Sequence, residues 1–419
     1  MIKWVCFVTQ DPCFTIAQKL NLMKLADPSG ITAIFCVSTA GCLQTVKMLL
    51  EGFSAEEKWQ LISMQDNLGQ TPLFNIASEE YGDTMKTLLG DLTPEQQRNL
   101  IYMQDRKGQT LLHSACVKGI SLKMVMSSLH GIVNNEILDK LILIRDNKQR
   151  TALHIAAENH PSELVLWCKD KIHSGLLLKL LNFQDSEGQT LFHIVSTKDK
   201  ADFIASFFDS LCSIVDLNTL VEFLSIQDKK QRTALHMAAA AGSLDIVLWC
   251  KDKLHSGLLL KLLQLQDSEG QTFMHVVSTI GQADFIASFF DSLSSIVDLN
   301  TLVELLSIQD EKQRTALHIA AKAGSLDLML WCKDKLHSGL LFKLLKLQDS
   351  EGQTFMHVVA TKGQADFIAT FFDSLFSTFD PSTVVEFLSI QDNRQRTALH
   401  MAAAAGSSEL MLWCKDKLH

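Results

Sequence analysis

The chain has 419 residues, of which 47% are hydrophobic and 20% are charged, with only 6 Pro and 20 Gly. This composition is typical of a folded, helix-rich protein and excludes a disordered chain. The formal net charge of −9 argues against nucleic acid as the main partner, because phosphate binding needs a basic surface. No uncharged apolar stretch reaches about 18 residues, so no membrane span is predicted.

Residues 1–26 are predicted to be an N-terminal capping segment, because their apolar residues suffice for one or two helices. The apolar stretch from Trp4 to Val8 is too short for the core of a signal peptide. The ten cysteines lack the short paired spacings that are typical of metal sites. We therefore predict a cytoplasmic protein with no cofactor and no metal.

An internal repeat organises the rest of the chain. The string Q-D-x-x-(G/Q)-x-T-x-x-H recurs with its Asp separated from the next by 39 to 43 residues. These aspartates are Asp27 in a degenerate copy, Asp66, Asp105, Asp146, Asp185, Asp228, Asp267, Asp310, Asp349 and Asp392. From Asp146 onward the true unit is a pair of repeats of 82 residues. Residues 27–419 are thus predicted to form an array of about ten repeats, the last incomplete.

Each repeat, called a register below, begins with two predicted helices. Thr233 is followed by a run rich in small residues as far as Gly242. This pattern predicts a short Ala-rich helix that begins after Thr233 and ends at Gly242. The stretch from Leu244 to Lys251 has apolar residues at helical spacing. It is predicted to be a second, antiparallel helix.

A third short helix is predicted after this pair, at Leu258–Leu263 in one type of register and at Asn300–Leu306 in the other. Gly257 is expected to separate the first of these from the preceding helix, and Asp298 or Asn300 to cap the second. The third helix accounts for the extra length of each register.

These registers resemble the ankyrin repeat, whose hallmarks are a Gly-containing turn, a Thr-x-Leu-His helix start and two helices. The stretches that carry the resemblance most closely are Thr151–His154, Thr233–His236, Thr315–His318 and Thr397–His400. The resemblance implies an all-α, ankyrin-like helical solenoid with short turn tips, here with an extra short helix per repeat. Alternate registers carry Gln149, Gln231, Gln313 and Gln395 where the family has glycine. Since a left-handed position costs a non-glycine residue about 1 kcal/mol or more, those turns are predicted to take another geometry.

Eight histidines occupy the Thr-x-x-His position. We predict a structural role for them, in which Thr caps the helix while the imidazole bonds the backbone of neighbouring turns. The Trp-Cys pairs, which begin at Trp167, Trp249, Trp331 and Trp413, and the Phe-Phe pairs, which begin at Phe207, Phe289 and Phe371, are predicted to be core of the second helices. If exposed, they would form a hydrophobic ridge.

Each turn tip consists of the residues from the repeated Asp to the residue before the Thr that starts the first helix. The charge of these tips alternates from one register to the next. The predicted partner-binding residues are the basic Lys148, Arg150, Lys230, Arg232, Lys312, Arg314, Arg394 and Arg396 and the acidic Glu187, Glu269 and Glu351. One interpretation is a solvated surface with lateral ion pairs between adjacent tips, each worth about 0 to 1 kcal/mol. The other is a series of contacts to an extended partner of alternating charge.

No catalytic site is predicted, because every candidate residue recurs along the array, whereas a catalytic site occurs once in a chain. We expect a scaffold that binds a protein partner through its concave face and turn tips. The array also resembles those of effector proteins that intracellular bacteria deliver into host cells, which implies action in host cytoplasm. One alternative is the targeting array of a larger enzyme or toxin whose catalytic part follows His419, and another is self-association. The oligomeric state stays open.

Overall fold

The computed structural model describes residues 13–40, 43–76, 81–119, 122–130, 132–159, 174–197, 201–243, 245–279, 283–361, 371–375, 377–406 and 409–417. Within these ranges every named element is a helix, and the prediction of an all-α fold is confirmed. The chain divides into two compact units, residues 1–195 and 196–419. None of the described helices is long and apolar enough to cross a membrane.

The first unit contains short helices, most of eight or nine residues. They are α1 (Ile16–Met23), α2 (Ala33–Ala40), α3 (Leu43–Leu50), α4 (Ala55–Ile62), a 3₁₀ helix (Pro72–Asn75), α5 (Tyr81–Leu89), α6 (Pro94–Tyr102), α7 (Leu111–Lys118), α8 (Leu122–His130), α9 (Asn135–Ile142), α10 (Ala152–Asn159), α11 (Ser174–Leu181) and α12 (Leu191–Ser196). The predicted capping segment thus contributes α1, while its residues 1–12 lie outside the described ranges.

The second unit repeats the pattern, with described second helices of 9 or 12 residues. Its elements are α13 (Ala201–Cys212), α14 (Leu217–Leu224), α15 (Ala234–Ala241), α16 (Asp245–Lys253), α17 (Ser256–Leu263), α18 (Phe273–Val277), α19 (Ala283–Ser294), α20 (Leu299–Ser307), α21 (Ala316–Ala323), α22 (Asp327–Lys335), α23 (Ser338–Leu345), α24 (Phe355–Ala360), α25 (Pro381–Ser389), α26 (Ala398–Ala404) and α27 (Glu409–Lys417).

Equivalent helices of successive registers pack against one another within each unit. In the second unit the first helices α15, α18, α21, α24 and α26 contact in series. Second helices pair as α13 with α16 and α19 with α22, and third helices as α14 with α17 and α20 with α23. In the first unit α7 contacts α10, α5 contacts α8 and α6 contacts α9. Each complete register therefore contributes one helix to each of three layers.

The predicted third helix is confirmed in both types of register. Asp298 caps α20, because its carboxylate accepts the Thr301 backbone N–H at 3.0 Å, and Asn300 lies inside the helix. The predicted separation at Gly257 is wrong. The N–H groups of Leu258 and Leu259 already donate to the His255 carbonyl oxygen, so α17 is helical through the glycine.

The predicted change of turn geometry at the glutamines is also wrong. Gln149, Gln231, Gln313 and Gln395 adopt φ values of 61°, 56°, 57° and 60°, the left-handed conformation of the glycine registers. At Gln313 the turn is closed by the bond from its own N–H to the Asp310 carbonyl oxygen, at 2.8 Å. The Gln309 side-chain amide donates a second hydrogen bond in this turn, to the Gln313 carbonyl oxygen, at 2.8 Å. Together these bonds offset a conformational cost of about 1 kcal/mol.

Aromatic residues of the second helices form core, as predicted, wherever the structure describes them. Trp249 is 5% exposed, and its ring centroid lies 4.8 Å from that of Phe208. Its indole N–H donates to the Asp209 carboxylate at 2.9 Å. The same stacking and bond recur at Trp331 and Trp413. Because these indoles are buried, they form no exposed hydrophobic ridge, and Trp167 lies outside the described residues.

Candidate protein-binding surface

Each turn tip is closed by the aspartate of the repeated string. In the register of Asp228, one carboxylate oxygen accepts the backbone N–H groups of Lys230 and Arg232, both at 2.8 Å. The Asp228 N–H donates to the Arg232 carbonyl oxygen at 2.9 Å. Because aspartate has the length and the two acceptor oxygens for this task, one side chain fixes a five-residue loop.

Neighbouring tips are joined by a backbone hydrogen bond within each unit. The N–H of Ser268, which follows the turn aspartate, donates to the Lys230 carbonyl oxygen of the preceding tip at 2.9 Å. The equivalent bonds run from Ser186 to Lys148, from Glu311 to Glu269, from Ser350 to Lys312 and from Asn393 to Glu351. Five of the predicted partner-binding residues are the acceptors. Their backbone positions are thus fixed relative to the next tip.

A second connection comes from the side chain that precedes each turn aspartate. The amide of Gln266 donates to the carbonyl oxygens of Gly270, in its own tip, and Gln309, in the next register, at 2.7 and 3.0 Å. Gln309 and Gln348 repeat this pair of bonds. The repeated Gln before Asp is visible in the sequence, but its second bond ends on a residue of the next register.

One register replaces this glutamine with Arg145, which makes the same pair of connections. Its Nε donates to the Gln149 carbonyl oxygen at 3.0 Å, and its Nη2 donates to the Gln184 carbonyl oxygen of the next register. A guanidinium group has donors enough for both acceptors. The connection between tips therefore survives the substitution.

Four of the five arginines predicted to bind a partner form ion pairs within their own tips. The guanidinium groups of Arg150, Arg232, Arg314 and Arg396 lie 2.9, 2.7, 2.6 and 2.8 Å from the turn aspartates of their registers. Those aspartates are buried. Burial acts to raise the pKa of Asp228, but bonds from the Arg232 side chain and backbone outweigh it and hold the pKa below its ordinary value.

The other seven predicted residues are exposed at the tips. They are Lys148, Glu187, Lys230, Glu269, Lys312, Glu351 and Arg394. All seven stand two residues after a turn aspartate, and their charges alternate from one register to the next. Glu351 also accepts a bond from the Gln353 amide at 2.9 Å.

Lateral ion pairing between adjacent tips is not found where the structure describes them. Within either unit, no ion pair joins the lysine of one tip to the glutamate of its neighbour. The ion pairs at the tips join the turn aspartate to the arginine four residues later in the same register. Inter-register pairs occur on the third helices, as between Lys346 and Glu386 at 2.9 Å.

The repeated histidines have the predicted structural role. The N–H of Thr233 donates to Nδ1 of His236 at 3.2 Å, so this nitrogen carries no proton. Nε2 must then hold the proton, and it donates to the Gln271 carbonyl oxygen of the next register at 3.0 Å. Burial lowers the pKa of His154 to about 4 and shifts the pKa of His236 in the same direction.

No protein-family model matches the chain, and the comparison with curated proteins also finds no match. Among the residues that the structure describes, no group of three or more His, Cys, Asp or Glu is placed to hold a metal ion.

Proposed function

We propose that the chain is an ankyrin-like scaffold that binds a protein partner through its turn tips. The observation that carries the proposal is the row of exposed, alternately charged residues on a hydrogen-bonded backbone. Charges on a fixed backbone bind with a smaller entropic cost than the same charges on a mobile loop, because less ordering remains to be done.

The repeated side chains fall into two groups, those that bond within the fold and those that are exposed, and this difference supports the proposal. His236 joins two registers, Trp249 joins two second helices, and Arg232 neutralises a buried aspartate. These three side chains, which could otherwise have bound a ligand, therefore stabilise the fold. Lys230 and Glu269, in contrast, contribute their backbone to the fold and leave their charged groups exposed.

The proposal is tested by charge reversal with a matched control. The tip variant carries Lys148→Glu, Lys230→Glu and Lys312→Glu. The control carries Lys179→Glu, Lys261→Glu and Lys343→Glu, which are exposed on the third helices and recur with the same 82-residue spacing. Both variants change the net charge equally, so a difference between them reports position and not overall charge.

The measurement is quantitative affinity capture from cell lysate, with circular dichroism to verify that both variants are folded. We expect the tip variant to lose at least one protein that the parent chain and the control both retain. Equal losses from the two variants would indicate nonspecific charge effects. An unchanged set of captured proteins would place the interaction away from the tips and contradict the proposal.

A further inference from the structure

The spacing and sign of the tip charges identify the kind of partner that fits them. In the second unit five consecutive tips present Lys230, Glu269, Lys312, Glu351 and Arg394, all exposed. The sequence of charges is therefore plus, minus, plus, minus, plus. Among the described residues of this unit, none of these side chains takes part in an ion pair, so their charges are available to a ligand.

The distance between tips follows from helix packing. Each tip immediately precedes a first helix, and the first helices α15, α18, α21, α24 and α26 contact one another in series. Packed helices lie about 8 to 10 Å apart. Backbone bonds of 2.9 to 3.0 Å between neighbouring tips keep this spacing regular.

Only some peptide conformations match such a spacing on one face. A β-strand directs every second residue to the same side, at intervals of about 6.6 Å. A polyproline II helix has three residues per turn and a rise of about 3.1 Å per residue. Every third residue of this helix therefore lies on one face, at intervals of about 9.3 Å, which agrees with the tip spacing.

We infer that the second unit binds an extended segment in the polyproline II conformation, with acidic and basic residues alternating at every third position. Its acidic residues pair with Lys230, Lys312 and Arg394, and its basic residues pair with Glu269 and Glu351. This inference rests on the proposed function, and specifies the conformation and charge pattern of the ligand.

The test uses the full chain and fluorescently labelled synthetic peptides, with binding measured by fluorescence anisotropy at low ionic strength. The probe has Glu, Lys, Glu, Lys and Glu at every third position, separated by Pro-Pro pairs. A block peptide has the same composition with its three Glu residues first and its two Lys residues last. A third peptide places the alternating charges at every second position.

We expect the probe to bind at least about fivefold more tightly than either control peptide, and the preference to disappear near 1 M salt, where screening is strong. The double variant Glu269→Lys, Glu351→Lys should instead prefer an otherwise identical peptide with Glu at all five charged positions. The matched variant Glu222→Lys, Glu304→Lys, altered at exposed positions of the third helices, should keep the original preference.

Equal affinities for the probe and the block peptide would overturn the inference. That result leaves the proposed function standing if the tip lysines still govern capture of a protein, because the partner would then be recognised by another pattern. If capture is also insensitive to the tip lysines, both proposals fail.

Discussion

His236 Nε2 donates a hydrogen bond to the carbonyl oxygen of Gln271, 3.0 Å away and 35 residues later in the chain. The same ring accepts the N–H of Thr233 through Nδ1. One imidazole thereby closes a helix start and ties it to the next register. This use of both nitrogens explains why neutral histidine recurs at this position.

Replacing His236 by Phe should weaken the fold without a steric clash, because Phe35 and Phe74 occupy the equivalent position in two other registers. The buried Thr233 N–H would lose its acceptor, and the Gln271 carbonyl oxygen would keep only the bond from the Asp267 N–H. We expect a loss of about 2 to 3 kcal/mol in the free energy of unfolding, measured by urea titration.

The control is His400→Phe, because His400 is exposed and water can replace its bonds. This change should cost under about 1 kcal/mol. Similar losses for the two variants would mean that the bond between registers contributes little.

Stability should fall as the pH decreases from about 6.5 to about 4. Burial lowers the pKa of His154 in the folded state to about 4, while the unfolded chain titrates near 6.5. Between these values the unfolded state binds more protons, so acid favours unfolding. Complete protonation of this histidine would lower the free energy of unfolding by about 3 kcal/mol relative to neutral pH.

The experiment is a series of urea titrations from pH 7 to pH 4.5, on the parent chain and on His154→Gln. The parent should lose stability more steeply than the variant over this interval. Carboxylates with lowered pKa values, such as Asp228, lose their contribution mainly below this interval. If stability fell equally steeply in the two proteins, burial would not lower the pKa of His154.

Thr71 and Thr151 should respond in opposite directions to replacement by valine. Thr151 Oγ1 lies 2.8 Å from His154 Nδ1. In the register of Thr71, Phe74 takes the place of the histidine, and the buried Thr71 hydroxyl has no hydrogen-bond partner among the described residues. Removing an unpaired buried hydroxyl is favourable.

We expect Thr71→Val to raise the free energy of unfolding by about 1 kcal/mol and Thr151→Val to lower it by about 1 to 2 kcal/mol. Thermal unfolding of the two variants under identical conditions tests this difference. The same sign for both changes would show that threonine at this position acts independently of its histidine.

Gln313→Gly should stabilise the chain by about 1 kcal/mol, because glycine adopts the observed φ of 57° without strain. The reverse change, Gly270→Gln, should destabilise it. A Cβ at residue 270 would lie 2.7 Å from the Glu311 backbone nitrogen, which is in the next tip. Urea titration of both variants checks the pair. A stable Gly270→Gln protein would show that neighbouring tips separate easily.

The sequence predicted those features whose causes are local. Asp298 precedes an apolar helical pattern and is a good N-cap, and Thr233 and His236 are three residues apart, so the third helix and the histidine role could both be inferred. Contacts between registers could not. The second bond of Gln266 ends on Gln309, 43 residues away.

The two basic positions of each tip looked equivalent in the sequence, although their contacts are local. Arg232, four residues after Asp228, pairs with that carboxylate, whereas Lys230, two residues after it, stays exposed. The left-handed glutamines were missed because intrinsic preference was weighed without the bonds that close the turn.

Site-specific photo-crosslinking in cell lysate tests directly whether a partner protein lies against the turn tips. A photoreactive residue is placed at Glu269, on a tip, or at Lys261, which is exposed on the third helix of the preceding register. Binding through the turn tips should give a covalent adduct with one defined protein from position 269 and none with that protein from position 261. Adducts from the third helix alone, or the same adducts from both positions, would contradict binding through the turn tips.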